Sequence, residues 1–239
     1  VNTAYLSEIK ELAGVKSVVV GSTYLVPQTV QSETDANGAT VNDSFVYKTG
    51  IYDSSEYASL AEYPWGTGAG TVVAILDTGL DYTHDAFQRI PVTTSSEFSK
   101  TKIEEKLANT RALERMNAKG ASLTADDVYI SEKIPFAFDY ADNDADVYPS
   151  YSNHGTHVAG IVGGYDEGGY DDKDGNHINE PFKGVAPDAQ LVICKTFTDN
   201  LDDPALGGAE AEDIMAALED CVTLGVDVIN MSLGSTAGF

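Results

Sequence analysis

Basic residues are scarce in this chain. Its 239 residues hold 14 Lys and Arg against 38 Asp and Glu, a formal net charge of −24. Phosphates repel such a surface, so nucleic acid and anionic membranes are disfavoured as partners. The charge suits divalent-cation binding and a soluble extracellular protein, although surplus carboxylates also serve plain solubility. Cysteine is nearly absent, with only Cys194 and Cys221 present. The first ends the apolar run Leu191-Val192-Ile193-Cys194 and the second sits in a helical stretch, so both read as buried, reduced packing residues and not as a disulfide framework. No apolar run approaches the roughly 18 residues a membrane-crossing helix requires. No basic-then-apolar leader opens the sequence, and Val1-Asn2-Thr3 reads as an interior starting point. What is present is a core: 42% hydrophobic and 9% aromatic residues exclude wholesale disorder. A chain of this length can bury one large core, or one core with a small appendage.

Three segments differ in character. Residues 1–27 read as helix then strand: Thr3 can cap, Leu6, Ile9 and Leu12 recur at helical spacing, Gly14 stops the helix, and Ser17–Val20 and Thr23–Val26 are β-prone. Residues 28–64 form a linker and lead-in segment, polar from Pro27 to about Gly50. From residue 65 to residue 239 the pattern is denser. Thr71–Leu76, Ala189–Thr196 and Val226–Met231 are continuous apolar runs, the pattern of parallel strands buried on both faces. Helical stretches at His157–Gly163 and Glu210–Leu224 alternate with them. The expected fold is α/β, a mainly parallel sheet flanked by helices. Residues 88–130 interrupt it with a charged stretch from Ile103 to Met116, expected as an amphipathic surface helix within an insertion over the core.

Two strings carry chemistry. Val73-Ala74-Ile75-Leu76-Asp77-Thr78-Gly79 places a carboxylate at the carboxyl end of a buried strand, where active sites of open α/β sheets gather. Such a carboxylate can orient a histidine and stabilise its imidazolium, or simply cap the following turn. Paired carboxylates sharing a proton are a further use of Asp-Thr-Gly, but that chemistry needs two copies and the chain has one. Asn153-His154-Gly155-Thr156-His157-Val158-Ala159-Gly160 supplies a histidine at a small-residue helix start. His154 and His157 lack the His-Glu-x-x-His spacing of zinc hydrolases, so His157 is expected to pack within its helix and His84 to be structural. A third string, Gly225–Gly234, leads a strand expected to be buried into Ser232, Leu233 and Gly234, whose backbone edge could pair with an extended peptide.

Together these strings resemble the subtilisin-like serine proteases (peptidase family S8) over about residues 65–235, with Lys183-Gly184-Val185-Ala186-Pro187 matching a further family turn. The wide spacing between Asp77 and His154 resembles the cell-envelope subtilases of Gram-positive bacteria. The resemblance implies a secreted or envelope-attached endopeptidase in which Asp77 orients His154, His154 acts as general base, and Ser232, Leu233 and Gly234 line the substrate groove. It therefore places Asp77 and His154 in hydrogen-bonding contact. It also makes residues 1–27 a small α+β remnant of an inhibitory propeptide, with Ala13-Gly14-Val15-Lys16-Ser17-Val18 the closest fit. The family's Gly-Thr-Ser-Met-Ala string is absent from these residues. The chain alone is accordingly expected to be inactive without a downstream serine segment, attached or on a companion chain. The alternative is a pseudoprotease or peptide-binding module. No cofactor is required for the chemistry. Calcium, a common structural ion of subtilases, has candidate ligands in Asp172, Asp174 and Asn176, within an acidic stretch from Asp166 to Glu180; an earlier stretch holds Asp139, Asp142, Asp144 and Asp146.

Overall fold

The structure is a computed structural model that describes residues 9–11, 23–24, 66–171, 175–179, 182–199 and 208–234. The linker 28–64 and most of the 1–27 unit lie outside the described residues, as do Asp172 and Asp174. The first described strand is β1 (Thr23–Tyr24). It is followed by β2 (Val72–Asp77), whose six residues are all buried.

The charged stretch then forms three helices: α1 (Lys100–Leu107), α2 (Arg111–Ala118) and the short α3 (Ala125–Val128). The single helix expected from Ile103 to Met116 is thus broken. Thr110 is extended, and its hydroxyl accepts the Leu113 N–H and donates to the Leu107 carbonyl, closing one helix while capping the next. Nor is this stretch only a surface cover, because Ile103, Leu107 and Ala112 belong to the main core. Next come β3 (Phe136–Asp139), α4 (His154–Gly163), and two small hairpins, β4 (Tyr165–Asp166) with β7 (Phe182–Lys183) and β5 (Tyr170–Asp171) with β6 (His177–Ile178). The chain continues through β8 (Gln190–Lys195), β9 (Ala209–Glu210), α5 (Ala211–Leu224) and β10 (Val228–Met231). Gly225 ends α5 at φ +81°, the left-handed conformation glycine reaches at least cost.

Four strands make one sheet in the order β10-β2-β8-β3, and every pairing is parallel. Alternation divides its side chains between two cores. Val72, Ala74 and Leu76 of β2 point to the face covered by α1, α2 and α5, together with Val192, Cys194, Phe136 and Phe138. Val73 and Ile75 point to the other, with Leu191, Ile193 and Ala137, against Val158 and Ala159 of α4. Burial on both faces is why β2 and β8 read as apolar runs. β10, expected to be buried in the same way, is the edge strand of the described sheet and leaves Val228 and Met231 exposed. Both cysteines are buried and unbridged, as their surroundings implied.

Candidate active site

Parallel pairing brings the carboxyl ends of β2, β8, β3 and β10 to one edge of the sheet. Asp77 ends β2 there, with 1% of its side chain exposed. Its Oδ1 accepts the Thr78 backbone N–H at 2.7 Å and lies 2.8 Å from Nδ1 of His154. A carboxylate only accepts, so the shared hydrogen belongs on Nδ1, leaving Nε2 of the neutral ring with a free lone pair. Among the described residues nothing bonds Nε2, and the His154 side chain keeps 13% exposure. Burial raises the pKa of Asp77; the hydrogen bonds from His154 and from the Thr78 amide pull it back. The second oxygen, Oδ2, is buried without a partner among the described residues.

Glycines make this approach feasible. A Cβ on Gly155 would stand 2.3 Å from the Gly79 carbonyl oxygen and 3.1 Å from Asp77 Cβ. Gly79 itself sits at φ +106°, with the Val147 carbonyl oxygen 2.3 Å from where its Cβ would be. A methyl group on Gly155 would push the helix off the Asp77–Gly79 segment, and one on Gly79 would push away the backbone at Val147.

The other sequence-derived candidates separate. Ser232, Leu233 and Gly234 follow β10 directly, one step past the Met231–Leu76 pair, so they leave the sheet at the same edge as Asp77. All three are half-buried; Leu233 packs on the main core and Ser232 Oγ bonds Asn230 Oδ1 at 3.0 Å. His84 accepts the Ala86 N–H on Nδ1 at 3.1 Å and caps a single turn, the structural role expected of it. His157 does not pack inside. Its neighbours Val158 and Ala159 take the sheet-facing side of α4 and leave it exposed. Of the calcium candidates only Asn176 is described; it is exposed and precedes β6.

With this geometry in hand, a profile of the subtilase family matches residues 68–238. The chain belongs to the subtilase family. This subtilase chain is similar to the PII-type proteinase of Lacticaseibacillus paracasei, 32% identical over 239 residues, which cover 98% of the chain and 10% of that protein. The PI-type proteinase of Lactococcus lactis subsp. cremoris is also 32% identical, over 98% of the chain and 10% of its own length. A C5a peptidase of Streptococcus pyogenes serotype M6 is 30% identical over 89% of the chain and 16% of its own. The chain thus spans about a tenth of the length of these two proteinases.

Residues that sequence reasoning passed over also shape this edge. Asp139 and Asp142 of the acidic run 139–146 face Lys195, a fully buried residue at the end of β8. Its Nζ lies 2.5 Å from Asp139, 3.4 Å from Asp142 and 3.5 Å from Asp199. Asp139 Oδ1 accepts the amides of Ala141 and Asp142, Asp142 accepts the Thr198 hydroxyl, and Asp144 and Asp146 each accept a nearby backbone N–H. The first half of this stretch is therefore organised by an internal cation, and the second half by its own backbone amides. The signal in the sequence was a lysine ending an otherwise apolar strand, next to a second strand, β3, that the Phe136-Ala137-Phe138 run could have revealed.

Proposed function

We propose that the whole protein is a subtilisin-type serine endopeptidase in which Asp77 orients His154 and His154 serves as general base, then general acid. One observation carries the reading: a buried carboxylate 2.8 Å from Nδ1 of a histidine whose Nε2 is unengaged among the described residues, at the carboxyl edge of a parallel sheet. The nucleophile would be a serine outside these 239 residues, in the same protein or on a companion chain. His154 Nε2 takes the hydroxyl proton as the serine oxygen bonds to the peptide carbonyl carbon. The imidazolium returns that proton to the leaving amine as the C–N bond breaks, and water then repeats the sequence on the acyl-enzyme. The backbone of Ser232, Leu233 and Gly234 would line the substrate groove. Residues 1–27 would be the propeptide-like unit, 28–64 the linker, and 65–239 the first part of the catalytic domain. Antiparallel pairing of β1 with β9, at the start of α5, supports docking of the first unit on the third. An extracellular or envelope location accompanies this reading, as does a structural calcium in the loop 166–180.

The test treats the full-length protein and its His154→Ala variant with a peptide substrate and a serine-directed fluorophosphonate. Wild type should label and turn over, and the variant should lose about 10⁶ in turnover, the precedent being subtilisin without its histidine. The 239 residues alone should be silent. A folded full-length protein that neither labels nor cleaves would favour the peptide-binding module instead.

A further inference from the structure

The helix that presents His154 is capped locally by one long bond alone, from the His154 N–H to Ser152 Oγ at 3.3 Å. Asn153 occupies the N-cap position of α4, a residue type well suited to the task, yet its side chain makes no capping bond. The Gly155 N–H, one of the amides a helix start leaves unpaired, goes instead to the hydroxyl oxygen of Thr78 at 2.9 Å. The same hydroxyl donates to the Ser152 carbonyl oxygen at 2.8 Å. Thr78 thus grips the backbone on both sides of His154, while its own N–H holds Asp77 Oδ1 at 2.7 Å. A reciprocal bond runs the other way, with Thr156 Oγ1 of α4 accepting the Asp81 N–H at 2.8 Å. Thr78 is only 4% exposed, so water does not compete for these bonds.

We propose that Thr78 is a positioning residue: its hydroxyl caps α4 from the bend that follows β2 and fixes His154 relative to Asp77. The inference rests on reading those two residues as the catalytic pair. The Asp77–His154 bond by itself is one contact between two rotatable side chains. Core packing and the Thr156–Asp81 bond hold the body of α4. Of the amides around His154, however, only its own has another side-chain partner among the described residues, Ser152 Oγ at 3.3 Å, so a small shift there would carry Nε2 with it. Two backbone bonds through one stiff, β-branched side chain remove that freedom. Because the ring is placed and not held chemically, the loss should fall on the reacting state more than on substrate binding.

The experiment measures kcat and KM for peptide hydrolysis by the full-length protein. Thr78→Val replaces the hydroxyl with a methyl of nearly equal shape. It should lower kcat about 10- to 100-fold with KM changed less than about twofold, the size expected from a misplacement near 1 Å. Thr78→Ser keeps the hydroxyl and should recover kcat to within about threefold of wild type. Thr110→Val removes an equally buried capping hydroxyl from α2; it should lower the melting temperature and leave kcat unchanged. Thr78→Ala replaces the valine variant if the added methyl prevents folding. Wild-type kcat in Thr78→Val, or equal losses in Thr78→Val and Thr110→Val, would overturn the proposal. Failure of both Thr78→Val and Thr78→Ala to fold while Thr110→Val folds would also overturn it, by making the hydroxyl a general structural need. Asp77→Asn separates the two readings. Unchanged activity there removes the catalytic pair itself, whereas its loss alongside an unaffected Thr78→Val removes only the positioning role.

Discussion

Two lysines of this chain are buried to the same degree and meet opposite electrostatic outcomes. Lys195 is 0% exposed and Lys133 2% exposed. Burial disfavours charge on Lys195, yet Asp139, then Asp199 and Asp142, outweigh it and raise its pKa. Lys133 donates to two backbone carbonyls, Pro187 at 2.9 Å and Ala189 at 2.6 Å. Burial lowers its pKa to about 7, with Asp188 opposing and Arg89 assisting. A carbonyl satisfies the hydrogen bond of an ammonium without cancelling its charge; a carboxylate does both. Placement follows the same division. Lys195 binds together the loops after β3 and β8, beside Asp77, whereas Lys133 pins the turn that leads from β7 into β8.

Removing each cation should expose the difference most strongly at Lys195. Lys195→Met leaves Asp139, 2% exposed, and its neighbours without their countercharge. We expect a loss of about 3–5 kcal/mol, the cost of breaking a buried pair by one partner, read from chemical denaturation. A loss under about 1 kcal/mol would mean the carboxylates are solvated, as in an exposed pair.

Lys133 gives a pH signature of a definite sign. Between its folded value of about 7 and the unfolded value near 10.4, the unfolded chain holds the greater share of this proton. Stability therefore rises with pH through that window, by at most about 1.4 kcal/mol per unit, and the gain is absent below about pH 7. Lys133→Met should flatten that rise in denaturation curves taken at about pH 7, 8.5 and 10. An undiminished slope would assign it to other groups.

The smallest effect concerns a cation from outside. The acidic run 139–146 carries its own in Lys195, whereas the loop 166–180 is proposed to take calcium. At a calcium concentration about tenfold above Kd, native-state binding should add about 1.4 kcal/mol, seen as a higher melting temperature that a chelator reverses. Identical melting curves with calcium and with chelator would withdraw the ion from that loop.

Much of the fold was legible because burial on both faces writes itself as apolar runs, and β2 and β8 announced themselves in this way. β10 was found by its apolar residues although it lies at the sheet edge, half-exposed. The Asp77 and His154 strings were legible through their glycines, whose necessity the close approach of Gly79 and Gly155 explains. What escaped is what depends on spatial order. Nothing near Lys195 in sequence says that β8 lies between β2 and β3, so its pairing with Asp139 and Asp142 could not be read. The break at Thr110 escaped for a related reason: the carboxylate that receives the Arg111 and Ala112 amides is Asp220, contributed by α5. The exposure of His157 depended on which side of α4 the sheet would take.

The all-parallel sheet also has a consequence in time. No strand of it can pair with its neighbour through a tight turn, since parallel neighbours need a crossover between them. The Val72 amide reaches Asp227 across 155 positions, and Asp77 meets His154 across 77. Chain closure on that scale must precede any gain from the contacts it allows, which slows folding and keeps unpaired strand edges exposed while it proceeds. The Asp77 and His154 segments are therefore brought together only by the same long-range closure that commits the sheet, and a nascent chain holds its apolar strands before it can bring that pair together.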